Sequence, residues 1–148
     1  MKPTPTAAEA HEALKEHCKR AGLAVTPQRL AIYRALYESF DHPSPEALYE
    51  RVRPAMPSIS LATIYKTLET LVAIGVASEL PATGDTKRYD ANMGRHQHLV
   101  CDQCNAIEDF YDASLDVTAP KSKNGFVPRA VSVYVHGLCR RCSKPARA

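Results

Sequence analysis

"SISLATIYKTLETLVAIG" spans residues 58–75, and "VASELPATGDTKRYDA" follows it at 76–91. In the first stretch Leu61, Ile64, Leu68, Leu71 and Val72 recur at helical spacing and predict one apolar helix face. Ser60 is of the residue type that caps a helix start, and Gly75 of the type that ends one. The opposite face carries Ala62, Thr63, Lys66, Glu69 and Thr70, with Tyr65 on the boundary. Near its start that face is small and polar, with one cation and one aromatic ring. Such a surface can enter a major groove, where methyl groups read thymine and Lys meets guanine or phosphate. The same pattern also describes an ordinary solvated helix face, so the neighbouring sequence decides. The second stretch alternates as two short strands around turn residues, the pattern of a β-hairpin. A short helix precedes the first stretch across "RPAMPSI". Helices followed by a hairpin make a winged helix-turn-helix, whose second helix reads DNA. Lys87 and Arg88 in the wing are then placed to touch phosphates, contacts that position a domain without specifying sequence.

Towards the N-terminus the helical signals continue. Ala10, Leu14, Cys18 and Ala21 form one stripe of a helix over 7–21, ended by Gly22. Cys18 lies on that stripe and reads as a small core residue. "TPQR" opens a second helix, with Thr26 as cap and Pro27 at the first helical position, running to about Phe40. Ser44 and Pro45 start a third in the same way. Towards the C-terminus "ANMGR" (91–95) reads as a hinge. Beyond it "HQHLVC", "AIEDFY" and "RAVSVYVHGLC" read as three strands, with a short helical piece around 113–119 that Pro120 interrupts. The expected organisation is α+β, with a winged-helix domain at 1–90, the hinge at 91–95, and a metal-binding domain at 96–148.

Composition sets the outer bounds. The chain has 148 residues, 45% of them hydrophobic and 24% charged, normal for a globular protein with a core. No run of about 20 apolar residues exists to span a membrane. The start lacks the apolar middle of a signal peptide, so a cytoplasmic protein is expected. Residues 1–90 hold eleven Lys/Arg and eleven Asp/Glu, while 91–148 hold eight and five and carry the whole net charge of +3. Charge alone does not announce a nucleic-acid binder. Five cysteines in a reducing compartment point to metal or redox chemistry rather than disulfides.

"CDQC" (101–104) and "CRRC" (139–142) are two Cys-x-x-Cys pairs. A redox couple needs only one pair. Two pairs close a tetrahedral thiolate shell, so Cys101, Cys104, Cys139 and Cys142 read as a structural zinc site. His96 and His98 share one face of their strand, while Cys101 has the opposite parity, so the histidines point elsewhere. Asp109 on the next strand, Asp90 before the hinge and His42 before the third helix are candidate companions. In isolation each has a plainer role: polar alternation on a solvated strand, a strand-end acid, a helix-start residue beside proline. Together, three imidazoles and two carboxylates make a mixed N/O set of the sort Fe(II) or Mn(II) accepts.

At this point the chain resembles a known family. "TPQR", "HPSPEALY", "ATIYKTLETL", "KRYD", "HQHLVCDQC" and "HGLCRRC", in this order and spacing, are similar to the ferric uptake regulator (Fur) family nearly end to end. The resemblance implies a homodimeric, metal-dependent repressor that binds a double-stranded DNA operator and is no enzyme. It implies a winged helix followed by a small α/β dimerisation domain with an antiparallel three-stranded sheet. It places structural Zn2+ on the four cysteines, and a regulatory Fe2+ or Mn2+ on His42, Asp90, His96, His98 and Asp109. Glu108 sits beside Asp109, and a one-residue shift of that strand would exchange them. Arg29, Ser60, Thr63, Tyr65 and Lys66 are the candidate DNA contacts. No membrane and no small-molecule substrate is implied.

Two features resemble the peroxide-responsive PerR branch. The acid beyond "CDQC" is Asp109, where iron sensors usually carry Glu. The positions around H-x-H that hold a further metal site in iron sensors are here Arg95 and Gln97. In that branch Fe(II) reacts with hydrogen peroxide and a ligand histidine gains an oxygen. Here the counterparts are His42 and His96. An iron- or manganese-level sensor using the same donors is the alternative, and a non-haem iron oxygenase a more distant one, since five protein ligands leave little room for substrate.

Overall fold

Hydroxyl side chains start every α-helix of this chain that the structure describes. The computed structural model describes residues 6–122, 124–128 and 130–145. Among these, Thr6, Thr26, Ser44 and Ser60 cap α1 (Ala7–Arg20), α2 (Pro27–Tyr37), α3 (Pro45–Val52) and α4 (Leu61–Ala73), each accepting from a backbone N–H one turn on. Proline stands in the first turn of α2 and α3, where its missing N–H costs nothing. The ends of α1 and α4 are equally defined. Gly22 and Gly75 turn left-handed, and the residues after them, Leu23 and Val76, donate back to Cys18 and Leu71. With the Gly22 and Gly75 N–H groups donating to Lys19 and Val72, this is the double hydrogen bond of a glycine-terminated helix. α2 stops at Tyr37, a little short of the expected Phe40.

The hairpin follows as β1 (Ser78–Thr83) and β2 (Thr86–Asp90), antiparallel, with Gly84 left-handed at the turn. The pairing shifts between Leu80 and Thr83, where Pro81 has no N–H to give. The helices and the hairpin base share one core that includes Leu14, Cys18, Ile32, Leu36, Leu48, Ile64, Leu68, Leu71 and Val76. Cys18 is fully buried, as its stripe position predicted. On α4, Ile64, Leu68 and Leu71 are buried, but Leu61 is 36% exposed. The apolar face therefore begins one turn later than the spacing suggested. Thr67, not assigned to either face in the sequence reading, is buried beside it.

The chain divides into two compact units between Met93 and Gly94. In the second, β3 (Gln97–Cys101) is central, flanked by β4 (Ile107–Phe110) and β5 (Tyr134–Gly137). β3 and β4 are antiparallel and joined by a tight turn, as expected. β5 is not: it runs parallel to β3, pairing His98 with Tyr134 and Cys101 with Gly137. The sheet is mixed rather than wholly antiparallel. A parallel neighbour needs a long crossover, and the stretch 111–133 supplies it. The helix expected at 113–119 shrinks to one 3-10 turn, Ala113–Leu115, capped by Asp112. β-Branched Val117 and Thr118 and then Pro120 leave nothing to extend it. A side chain holds the segment instead. Buried Gln97 accepts from the Asp112 N–H at 2.9 Å and donates to the Asp112 carbonyl at 3.3 Å and to Asp116 at 3.2 Å. Arg95 and Tyr111 also bind Asp116, each at 3.2 Å.

The orientation of α4 is open to a direct test. Leu68→Ala should cost roughly 2–5 kcal/mol, as core truncations do. Leu61→Ala should cost less than about 0.5 kcal/mol, as exposed positions do. Urea denaturation of zinc-loaded protein measures both, and equal costs would mean that the helix presents a different face to the core.

Candidate metal centres

The cysteine cluster is built on two strand ends. Cys101 closes β3, and the turn after it brings Cys104 back with Asn105 in a left-handed conformation. β5 delivers Cys139 and Cys142 beside them, anchored by Asp102 N–H donating to the Gly137 carbonyl at 2.8 Å. All four sulfurs lie within 4.8 Å of one another, and Cys104 and Cys139 are 3.8 Å apart. That is too long for a disulfide, whose sulfurs sit about 2.05 Å apart. It fits a tetrahedral zinc shell, where bonds of about 2.3 Å put sulfurs about 3.8 Å from each other. The donor chemistry agrees. The Cys139 N–H donates to Cys101 Sγ at 3.3 Å, and such amides draw the Cys101 thiol down to about 6. The Ala106 amide likewise lowers Cys104. Cys142 is pushed up to about 12, chiefly by Cys139 and by burial, because the last thiol to ionise would face its neighbours' charge. A divalent soft cation removes that penalty. A redox couple would not need the second pair.

The histidines occupy the other parity of β3. His98 pairs across the sheet with Asp109, and its ring stacks on Tyr134 at 5.1 Å. Asp109 Oδ1 lies 3.3 Å from His98 Nε2 and 3.5 Å from His96 Nε2, and the two Nε2 atoms are 3.1 Å apart. Ligand atoms at right angles on one ion, each about 2.1 Å from it, would be about 3 Å apart. The His96 Nδ1 faces the Gly94 carbonyl at 2.7 Å and must donate to it, which leaves the lone pair on Nε2. Register settles which acid faces the histidines. Asp109 does, while Glu108 is exposed opposite Leu99.

The first unit contributes a His–Asp pair. His42 and Asp90 are both buried, at 2% and 4% exposure, with Nδ1 3.7 Å from Oδ1. Asp90 also accepts from the Asn92 N–H at 2.7 Å. His42 has φ +50°, a left-handed conformation uncommon outside glycine, though histidine adopts it more often than most side chains. Pro43 does not account for this, since a residue before proline is driven to extended backbone at negative φ. The sequence reading missed what holds it there. Arg88 donates through Nε to the His42 carbonyl and through Nη2 to the Asp41 carbonyl. Arg51 clasps the Asp41 carboxylate, which holds that carboxyl below its usual range.

These contacts correct the reading of Arg88 in the wing. Arg88 is half-buried and turned inward, not laid out for phosphate, and Lys87 pairs with Glu79 at 3.3 Å. The candidate reading face is better supplied. Arg29, Thr63 and Lys66 line a cleft of about 430 Å³ together with Thr67, Thr70 and the 55–59 turn. Arg29 donates to the Ala24 carbonyl at 2.7 Å. Ser60 is committed to capping, bonding Thr63 through both N–H and hydroxyl. Tyr65 is exposed, and its hydroxyl donates to Glu46 of α3 at 2.5 Å.

Comparison with known proteins accords with this geometry. The model of the ferric uptake regulator family matches residues 20–143. The peroxide-responsive repressor PerR of Staphylococcus epidermidis is 34% identical over 128 residues, 85% of each chain. The solved Campylobacter jejuni peroxide stress regulator is 32% identical, covers 89% of this chain and 98% of its own, and superposes with a TM-score of 0.63. The Helicobacter pylori ferric uptake regulator superposes at 0.74 over 99% of this chain and all of its own, and at 24% identity speaks for the fold alone. The chain belongs to the ferric uptake regulator family and is, with it, a metal-dependent transcriptional regulator rather than an enzyme.

Proposed function

We propose that this chain is a homodimeric repressor that binds a DNA operator when loaded with Fe(II) or Mn(II), and that hydrogen peroxide inactivates its iron form. Structural zinc belongs at Cys101, Cys104, Cys139 and Cys142. The regulatory ion recruits His42 and Asp90 from the first unit and His96, His98 and Asp109 from the second, with residues 91–95 as the hinge. The observation that carries the reading is the trio His96, His98 and Asp109, whose donor atoms converge with the His96 tautomer already fixed. This N/O set suits Fe(II) or Mn(II), while the soft thiolates suit zinc.

When bound, Fe(II) would act as a redox catalyst for hydrogen peroxide, with no net loss of electrons from the iron. The net change at the protein is imidazole plus hydrogen peroxide going to an oxygenated imidazole plus water. His42 and His96 are the rings proposed to receive the oxygen. An oxygenated ring donates poorly, so the chain loses the ion, and with it the arrangement that binds DNA.

The second unit also favours a dimer. Leu99 and Val135 pair in register and are each 39% exposed, with Leu138 56% exposed beside them. Such an apolar face on a sheet suits a second copy of the chain.

Three measurements test these assignments. Peptide mass spectrometry after a small excess of hydrogen peroxide should find one added oxygen at His42 or His96 in anaerobically Fe(II)-loaded protein, and none in Mn(II)-loaded protein, with DNA binding lost only in the former. Intact histidines in both, with DNA binding still tracking metal, would make the chain an iron- or manganese-level sensor. Cys101→Ser should lose zinc and lower the melting temperature by more than the roughly 2–4 °C that 1 kcal/mol is worth at this size. Unchanged zinc content would overturn the thiolate site. Lys66→Ala should weaken operator binding and reduce the salt slope by about 1, as loss of one phosphate contact does. If binding and slope match the parent, α4 does not carry the contact.

A further inference from the structure

The segment 39–43 is gripped from three elements, and the grip ends at a candidate metal ligand. Ser39 donates to the Ala35 carbonyl in α2 at 2.5 Å. Arg51, from α3, binds the Ser39 hydroxyl at 2.7 Å and both oxygens of Asp41, at 2.9 and 2.5 Å. Arg88, from β2, donates to the carbonyls of Asp41 and His42, and the Tyr89 N–H donates to the Pro43 carbonyl at 3.2 Å. Three consecutive residues, 41–43, therefore have their carbonyls bound to the wing strand.

A left-handed non-glycine residue persists only where its surroundings over-determine it. The bond from Arg88 to the His42 carbonyl and those to its two neighbours' carbonyls help to meet that condition. Strand geometry adds the second half. Arg88 and Asp90 lie two apart on β2 and so point to the same side. One grips the His42 backbone, and the other stands 3.7 Å from the His42 ring. Arginine suits the first task because its planar guanidinium offers several donors in a fixed fork and bridges two adjacent carbonyls.

We infer that Arg88, braced by the Arg51–Asp41 pair, is a positioning residue that holds His42 in the left-handed conformation needed to bind the regulatory ion. It ties that ligand to the wing strand and does not contact operator phosphate. The inference rests on the proposed regulatory site and names what sets its affinity in the first unit. Groups that orient a metal ligand typically govern affinity by on the order of 10-fold to 100-fold.

The test uses full-length, zinc-loaded protein with Mn(II) alone for affinity and Co(II) alone for visible absorption. Arg88→Met, similar in length and without donors, should weaken Mn(II) binding by roughly 10-fold or more. Its Co(II) spectrum should move towards that of His42→Ala, with zinc content unchanged. Arg88→Lys, a point donor that cannot bridge two carbonyls, should fall between. Parent-like Mn(II) affinity and Co(II) spectrum in Arg88→Met, with weakened DNA binding, would overturn the inference and return Arg88 to phosphate. Should Arg88→Met fail to fold, Asp41→Asn serves, because Asp41 is exposed and its loss removes only the brace. A fall in Mn(II) affinity there supports the brace, none strikes the Arg51–Asp41 pair from the inference, and parent-like Mn(II) affinity in Arg88→Lys would overturn the clamp. His42→Ala separates the two levels of the argument. If it binds Mn(II) as the parent does, the regulatory site itself is misassigned.

Discussion

Alternation along β3 is the constraint on which the second unit depends. Five residues carry a buried amide, a buried histidine, an exposed leucine, a buried valine and a buried cysteine in turn. Because successive side chains face opposite ways, one strand serves two chemistries without mixing them. Its even positions turn His98 towards Asp109, and its last residue starts the thiolate cluster. A slip of one residue would send the histidine to the opposite face and present Glu108 in place of Asp109. Pairing on both sides of β3, antiparallel with β4 and parallel with β5, is what prevents the slip.

The separation matters because the two donor sets would compete for the same ions if they overlapped. Thiolates hold zinc strongly and close its coordination shell, whereas imidazole and carboxylate accept several divalent metals with looser preference. Backbone amides directed at Cys101 and Cys104 favour thiolates before any ion arrives. Nothing comparable biases the histidine trio towards a soft metal. A permanent structural ion and an exchangeable one can therefore sit a few residues apart in sequence.

Most of this architecture was legible in the sequence because local signals agreed with one another. Thr26, Ser44, Ser60, Gly22 and Gly75 mark helix ends by their own backbone chemistry, and the structure puts the ends near them. The cysteine spacing was sufficient to assemble the cluster. What escaped the sequence depends on long-range geometry. The direction of β5 depends on the connection 111–133, whose sequence has almost no periodicity. The choice between Glu108 and Asp109 needs strand register. The inward turn of Arg88 needs the position of the 41–43 carbonyls, since an arginine in a wing reads as a phosphate contact until its partners are known. Gln97 is a similar case. It looks like polar alternation but is buried, and it does the work of a missing helix by holding Asp112 and Asp116.

The position of His42 bears on how metal could control DNA binding at all. An ion shifts a conformational equilibrium only by its difference in affinity for the two states. Held by His96, His98 and Asp109 alone, it would bind equally well in any disposition of the first unit, and would regulate nothing. On the proposed reading, all of the coupling must therefore enter through His42 and Asp90. Both are tied to β2, Asp90 as its last residue and His42 through its carbonyl. Oxygenation of either proposed histidine removes a donor, but the two losses are not equivalent. Loss of His96 weakens the ion's grip in every state, while loss of His42 removes one of the two donors, with Asp90 the other, that distinguish one state from another. A sensor oxygenated at His42 would be more weakly coupled even at metal concentrations high enough to refill the remaining site.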